Sequence, residues 1–222
     1  MLELKDITYS YKGSDREVLK SVTCEFKAGN LTAVTGPSGS GKSTLLSIIA
    51  GMDKPSKGEI HIDEKKLSKL DLDKYRREMV SIIFQAFHLF PILTVMGNVC
   101  FPMELIGKSK AEAQKRAAEL LNMVGIVDSM HKRYPSNLSG GEQQRVAIAR
   151  SLASGANLLL ADEPTGNLDQ ENMHNIMEIL KKLAHDNGYC VIIVTHDMEA
   201  AEKADVIFRM RDGVLTVKDK SA

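Results

Sequence analysis

The chain has 222 residues, enough for one large or two small domains around a sizeable core. Its 29 Lys and Arg balance 29 Asp and Glu, so a surface built to neutralise nucleic-acid phosphates is disfavoured. Three isolated cysteines (Cys24, Cys100 and Cys190) and histidines without short pair spacing argue against a disulfide framework and a zinc site.

The opening residues mix acid and base where an exported protein would carry an apolar run, which predicts a cytoplasmic chain. In chain order, Leu2–Tyr11 and Val18–Phe26 read as strands, bounded by the turn-forming clusters 12–15 and 28–30. Leu31–Thr35 is a short apolar strand running straight into glycines. The charged run Asp63–Lys74 reads as a solvated loop and helix face. Ser81–Phe84 is a buried strand inside a longer stretch, 79–103, that contains no Asp, Glu, Lys or Arg. That length raises the question of a membrane span. Gln85, His88, Pro91, Asn98 and Pro102 answer it, because in lipid they would leave polar groups unpaired and interrupt the backbone ladder. A partly apolar loop and then a helix are expected instead.

Ser109 and Glu112 form a capping box ahead of the stripe Ala113, Ala117, Leu120, Leu121 and Val124, with Gly125 as the stop. Leu158–Ala161 is another apolar strand. Asp169 caps a helix with the stripe Met173, Ile176, Met177, Leu180, Leu183 and Ala184, closed by Gly188. Tyr189–Thr195 and Val206–Met210 are the last apolar runs. Continuous apolar strands point to a sheet covered on both faces. Their alternation with helices implies right-handed crossovers and an α/β fold.

Three segments carry chemistry. Gly36-Pro37-Ser38-Gly39-Ser40-Gly41-Lys42-Ser43 matches GxxxxGK[ST] after a strand and before the helix-like Thr44–Ala50, the context a phosphate-binding loop requires. Its glycines let main-chain N–H groups converge on one anion, with Lys42 reaching the β- and γ-phosphates and the Ser43 hydroxyl ligating Mg²⁺. Leu158–Glu163 is an apolar strand ending in two carboxylates. Asp162 suits a metal-holding acid, and Glu163, one residue further, can polarise an attacking water, which suggests hydrolysis rather than binding alone. Leu138-Ser139-Gly140-Gly141-Glu142-Gln143 caps a helix and offers a second anion-receptive nest.

Over nearly its whole length the sequence resembles an ATP-binding cassette (ABC) ATPase. The resemblance implies a P-loop NTPase core with a mostly parallel sheet, an N-terminal antiparallel β subdomain and an inserted α-helical subdomain. One domain would span 2–222, with the helical part at roughly 86–155. It implies that two copies dimerise head to tail, the signature Leu138–Glu142 of one closing on the γ-phosphate held by residues Gly36–Thr44 of the other. By the same resemblance Tyr11 stacks on adenine, and Gln85 senses Mg²⁺ and γ-phosphate. Asp169 crosses the dimer interface, and His196 contacts the γ-phosphate. Residues 161–169 and 134–145 are similar to one bacterial branch: the ATPases of macrolide exporters, lipoprotein-releasing complexes and antimicrobial-peptide resistance pumps, with the cell-division ATPase a near relative. Two positions depart from the general pattern, Glu142 in place of Gln and Ala156-Asn157-Leu158 in place of the usual proline ahead of the strand that ends in Asp162 and Glu163.

The expected protein is therefore an ATPase subunit that works with Mg-ATP at the inner face of a membrane through a separate permease. Phe87, Leu89, Phe90, Ile92 and Leu93, crowded around His88 and Pro91, are expected as the docking patch. A DNA- or ribosome-acting ATPase would need an insertion or a tandem cassette that this length does not accommodate, and a small-molecule kinase has no use for a second phosphate nest. Signalling through a membrane partner without transport, as in the cell-division relatives, is the alternative within the family. No nucleic-acid partner is expected.

Overall fold

Alternation governs the first sheet. The computed structural model describes residues 1–14 and 16–218. Strand β1 (Leu2–Ser10) buries Leu2, Leu4, Ile7 and Tyr9, and β2 (Glu17–Phe26) turns Leu19, Val22 and Phe26 inward while Glu17, Lys20 and Glu25 face solvent. The inward set changes phase at register shifts beside Asp6 and Ser21, both at φ 51°. After β3 (Leu31–Thr35) and helix α1 (Lys42–Ile49), β4 (Lys57–Ile62) and the two-residue β5 (Lys65–Lys66) complete an antiparallel sheet of order β2-β1-β4-β5. The run read as a solvated loop and helix face thus also holds an edge strand, and it leads into α2 (Leu72–Glu78), capped by Asp71 and anchored by buried Tyr75.

The second sheet has the order β10-β9-β3-β8-β7-β6, formed with β6 (Val80–Phe84), β7 (Leu158–Asp162), β8 (Cys190–Thr195), β9 (Val206–Arg211) and β10 (Val214–Val217). All its pairings are parallel except β9–β10. Every residue of β3 and β8 is buried because the sheet separates two cores. Leu31, Ala33, Val191 and Ile193 face one core, and Val34, Ile192 and Val194 face the other. The second core lies toward the antiparallel sheet and α1. The first is closed by α3 (Val95–Leu105), α4 (Lys110–Met123), α5 (Gly140–Leu152) and α6 (Gln170–Asn187), with the short α7 (Met198–Glu202) packed at its edge.

Capping boxes at Ser109/Glu112 and Ser139/Glu142 start α4 and α5, and Gly188 at φ 73° ends α6. The uncharged stretch becomes β6, a loop and α3. Among the described residues no helix is long and apolar enough to cross a membrane. That loop is organised by one side chain: the Asn98 amide accepts from Phe90 N–H at 2.8 Å and faces the carbonyls of Phe90, Leu93 and Thr94 at 3.0–3.1 Å. Leu89 packs on the first core, whereas Phe90 and Ile92 face outward, Ile92 at 83 % exposure.

Candidate active site

Strands β3, β7 and β8 are neighbours in a parallel sheet, so their C-terminal ends open on one edge, where a ligand crevice is expected. There the chain turns from β3 through Gly36–Gly41 into α1. The turn runs so close to β9 that a Cβ on Gly36 would stand 2.2 Å from the Met210 carbonyl oxygen. Gly41 contributes no side-chain cap, which leaves the first N–H groups of α1 facing the cleft. The Lys42 ammonium folds back over the loop and donates to the carbonyls of Gly36 and Pro37 at 2.8 and 3.0 Å. Ser40 Oγ is buried without a partner.

At the end of β7, Asp162 Oδ1 accepts from the Ser43 hydroxyl at 3.2 Å. Burial, reinforced by the charge of Glu163, pushes the Asp162 carboxyl up against the opposing pull of Ser43 and Lys42. A cation beside it would reverse that balance. The Ser43 hydroxyl and the Asp162 carboxylate, with the Gln85 amide lining the same cleft, are oxygen donors that suit a hard divalent ion. Glu163 adopts φ 48° and is held by its own N–H on the Val194 carbonyl at 2.9 Å. Its Oε1 meets His196 Nδ1 at 2.9 Å, and its Oε2 accepts from the His196 N–H at 3.3 Å. Carboxylate and imidazole from adjacent strands thus form one pair at the cleft wall.

Gln85 follows β6. Its Nε2 donates to Asn167 Oδ1 at 3.2 Å, and Asn167 Nδ2 donates back to the Gln85 carbonyl at 3.2 Å. Tyr11 is half exposed at the cleft mouth, its hydroxyl 2.8 Å from Thr44 Oγ1 and its ring edge-on to Tyr9. Tyr11, Lys42, Ser43, Thr44, Gln85, Asp162, Glu163 and His196 line an open cleft of about 1210 Å³ that also includes Ser38, Gly39 and Gly41. The converging loop, the partnerless Ser40 hydroxyl and the Ser43–Asp162 pair fit a polyphosphate with its divalent ion.

Other predicted site residues lie elsewhere. None of Leu138–Glu142 lines the cleft. The Glu142 carboxylate accepts from the Ser139 N–H at 2.7 Å, and Gly141 lies so close to α6 that a Cβ there would stand 2.0 Å from Asn172 Oδ1. Asp169 caps α6, its carboxylate held low by the Asn172 N–H and side chain. Sequence reasoning missed two partners. Asn167 was visible only as a letter between Gly166 and Asp169. Gln144, fully buried in α5, donates to the Pro164 carbonyl at 2.7 Å and so fixes the turn after Glu163.

A family model described as ABC transporter matches residues 19–166. An uncharacterized ABC transporter ATP-binding protein of Methanocaldococcus jannaschii, MJ0796, is 42% identical, covering 99% of this chain and 97% of its own length. The macrolide export ATP-binding/permease protein MacB of Shigella flexneri is 44% identical over 96% of this chain, which spans only 33% of MacB. The solved dimeric, post-hydrolysis structure of MJ0796 bound to ADP and Pi superposes with a TM-score of 0.88 at 40% identity, covering all of both chains. With a matched family model over most of its motifs and a fold shared end to end with a solved cassette, this chain belongs to the ABC transporter family.

Proposed function

We propose that this ABC-type ATPase closes as a head-to-tail homodimer over two Mg-ATP and drives a separate integral-membrane permease. The observation that carries this reading is the divided site. The cleft holds the phosphate loop, Asp162, Glu163, Gln85 and His196, while Ser139–Gly141 lie outside its lining. A second copy facing the first would bring the missing donors to the γ-phosphate, and the dimeric MJ0796 structure supports that arrangement.

In this reading Tyr11 stacks on adenine and the main chain of Gly36–Thr44 cradles the phosphates. Lys42 leaves the carbonyls of Gly36 and Pro37 for the β- and γ-phosphates. Ser43, Gln85 and Asp162 would hold Mg²⁺, which when bound would supply neutralisation of phosphate charge. Glu163 accepts a hydrogen bond from the attacking water and polarises it, and His196 orients Glu163 and then donates to the transferring charge. Leu138–Glu142 and Asp169 act across the interface. Fixed donors aimed at developing charge are the main source of catalysis in phosphoryl transfer.

The chain serves as one domain over 2–222, with 86–155 as the helical part that meets the permease at Phe87–Leu93 on the inner membrane face. The likeness to MacB supports export or extraction of a hydrophobic drug, peptide or lipoprotein, or mechanical work on the far side. Glu163→Gln tests the reading: the isosteric amide cannot take up a proton, so the variant should bind Mg-ATP, lose turnover and accumulate as an ATP-dependent dimer in size-exclusion chromatography. ATP hydrolysis near the wild-type rate would refute the assignment.

A further inference from the structure

Helix α5 starts at the signature and carries near its far end a guanidinium that the reaction described above does not use. Arg150 lies about three turns beyond Ser139. Its Nη2 donates to the Phe87 carbonyl at 2.9 Å, its Nη1 donates to the His88 carbonyl, and its Cζ stands 5.8 Å from the centre of the Phe90 ring. The two hydrogen bonds go to main-chain oxygens, and burial pushes the pKa of the guanidinium down. A cation taken from water and given two carbonyls and a ring face in return is tied tightly to that segment.

The segment so held is strained and adjoins the site. His88 sits at φ 49°, in the left-handed region that a residue with a Cβ adopts at a cost. Its ring lies 5.0 Å from that of Phe84, the last residue of β6, and Gln85 comes between the two in sequence. At the other end of α5, a Cβ on Gly140 would come within 3.7 Å of Phe87 Cζ. Helix α5 therefore borders the turn after Gln85 at both ends, with the Phe87 ring beside its first residue and the Phe87 and His88 carbonyls bonded near its last.

We propose that Arg150 is a positioning residue for hydrolysis: by pinning the Phe87–His88 turn to α5, it makes the placement of the Gln85 amide follow the placement of the signature helix. The two halves of the composite site are thereby linked inside each chain. This rests on the reading of Gln85 as a metal- and phosphate-facing group. Lysine keeps the charge but is a point donor without the planar fork that spans the Phe87 and His88 carbonyls and stacks on Phe90, so Arg150→Lys isolates the geometry.

The experiment is a double-mutant cycle on the full chain, with ATP turnover followed in wild type, Gln85→Ala, Arg150→Lys and the double variant, while melting temperatures and amide exchange over 86–90 are recorded. Arg150→Lys should lower kcat about tenfold with KM for Mg-ATP within about twofold, and should change kcat less than about twofold once Gln85 is alanine. Amide exchange should quicken over 86–90. Losses that multiply across the two backgrounds, or an unchanged kcat in Arg150→Lys, would overturn the proposal alone. An unchanged kcat in Gln85→Ala would overturn the reading of Gln85 and the proposal with it. A melting temperature lowered by more than about 10 °C in both Arg150→Lys and Arg150→Gln would make Arg150 a general fold residue and overturn the positioning role.

Discussion

Replacing Asn98 by leucine keeps the branched shape and the number of side-chain heavy atoms, though with greater bulk, and removes the polar core of the loop that follows Gln85. Asn98 is 0 % exposed. Its Oδ1 accepts from Phe90 N–H at 2.8 Å, and its Nδ2 faces the carbonyls of Phe90, Leu93 and Thr94 at 3.1, 3.1 and 3.0 Å. An amide nitrogen has two hydrogens, so three carbonyls share two donors and the side chain contributes three effective bonds. At about 1 kcal/mol net per bond, Asn98→Leu should destabilise the chain by about 3 kcal/mol, partly offset by the added apolar burial. For a chain of this length that corresponds to a fall of about 8 °C in melting temperature. Calorimetry should register the shift, and amide exchange should quicken first over residues 90–94. A melting temperature within about 2 °C of wild type would refute the view that this one amide organises the loop.

Phe90→Glu places a charge on an outward ring, so the isolated subunit should fold and bind ATP but fail to co-purify with its permease; a melting temperature lowered by many degrees would show the ring to be core. An equal mixture of Lys42→Ala and Ser139→Arg chains should recover part of the ATPase activity by forming heterodimers with one intact composite site, whereas activity in Ser139→Arg alone would count against a signature acting in trans. The Asp205 carboxylate is raised by burial but drawn below its ordinary value overall by His185 and the Leu31 N–H. A depressed folded-state pKa contributes stability that is present above the unfolded value of about 3.9 and lost as pH falls through the folded value. Asp205→Asn should therefore flatten the acid limb of a urea-midpoint profile between about pH 5 and 2, and an unchanged limb would remove Asp205 from the account.

The phosphate loop and the paired acids were legible because each sits where local chemistry forces it, whereas Tyr11, Gln85 and His196 were reached through the family resemblance. Glycines at 36, 39 and 41 allow one loop, and the acids at 162 and 163 end an apolar strand that cannot continue into solvent. Their convergence was not legible. It depends on β3, β7 and β8 being neighbours, an order set by packing of two cores rather than by adjacency in the chain. Strands β4, β5 and β10 escaped notice because β4 and β5 interrupt their apolar pattern with Lys57, Glu59, Lys65 and Lys66, β5 is only two residues long, and β10 only four. Asn167 and Arg150 escaped for a different reason. Their partners are an amide and carbonyls 62 to 82 positions away, and main-chain acceptors leave no mark in the pattern of side chains.

The contact between Gly36 and the Met210 carbonyl has a consequence for dissecting the molecule. The turn between β9 and β10 completes that support: the Gly213 N–H donates to the Ser40 carbonyl at 3.1 Å, and its own carbonyl accepts from Lys20 N–H at 2.9 Å. The last strand pair is thus a buttress beneath the phosphate loop, tying it to β2 from below. A fragment cut to the span that matches the family model, 19–166, would retain Lys42, Ser43, Gln85, Asp162 and Glu163. It would lose both this buttress and the strand β8 that presents His196. Possession of the motifs and possession of the pocket are separable properties of this chain, and the hairpin that separates them carries no recognisable signature of its own.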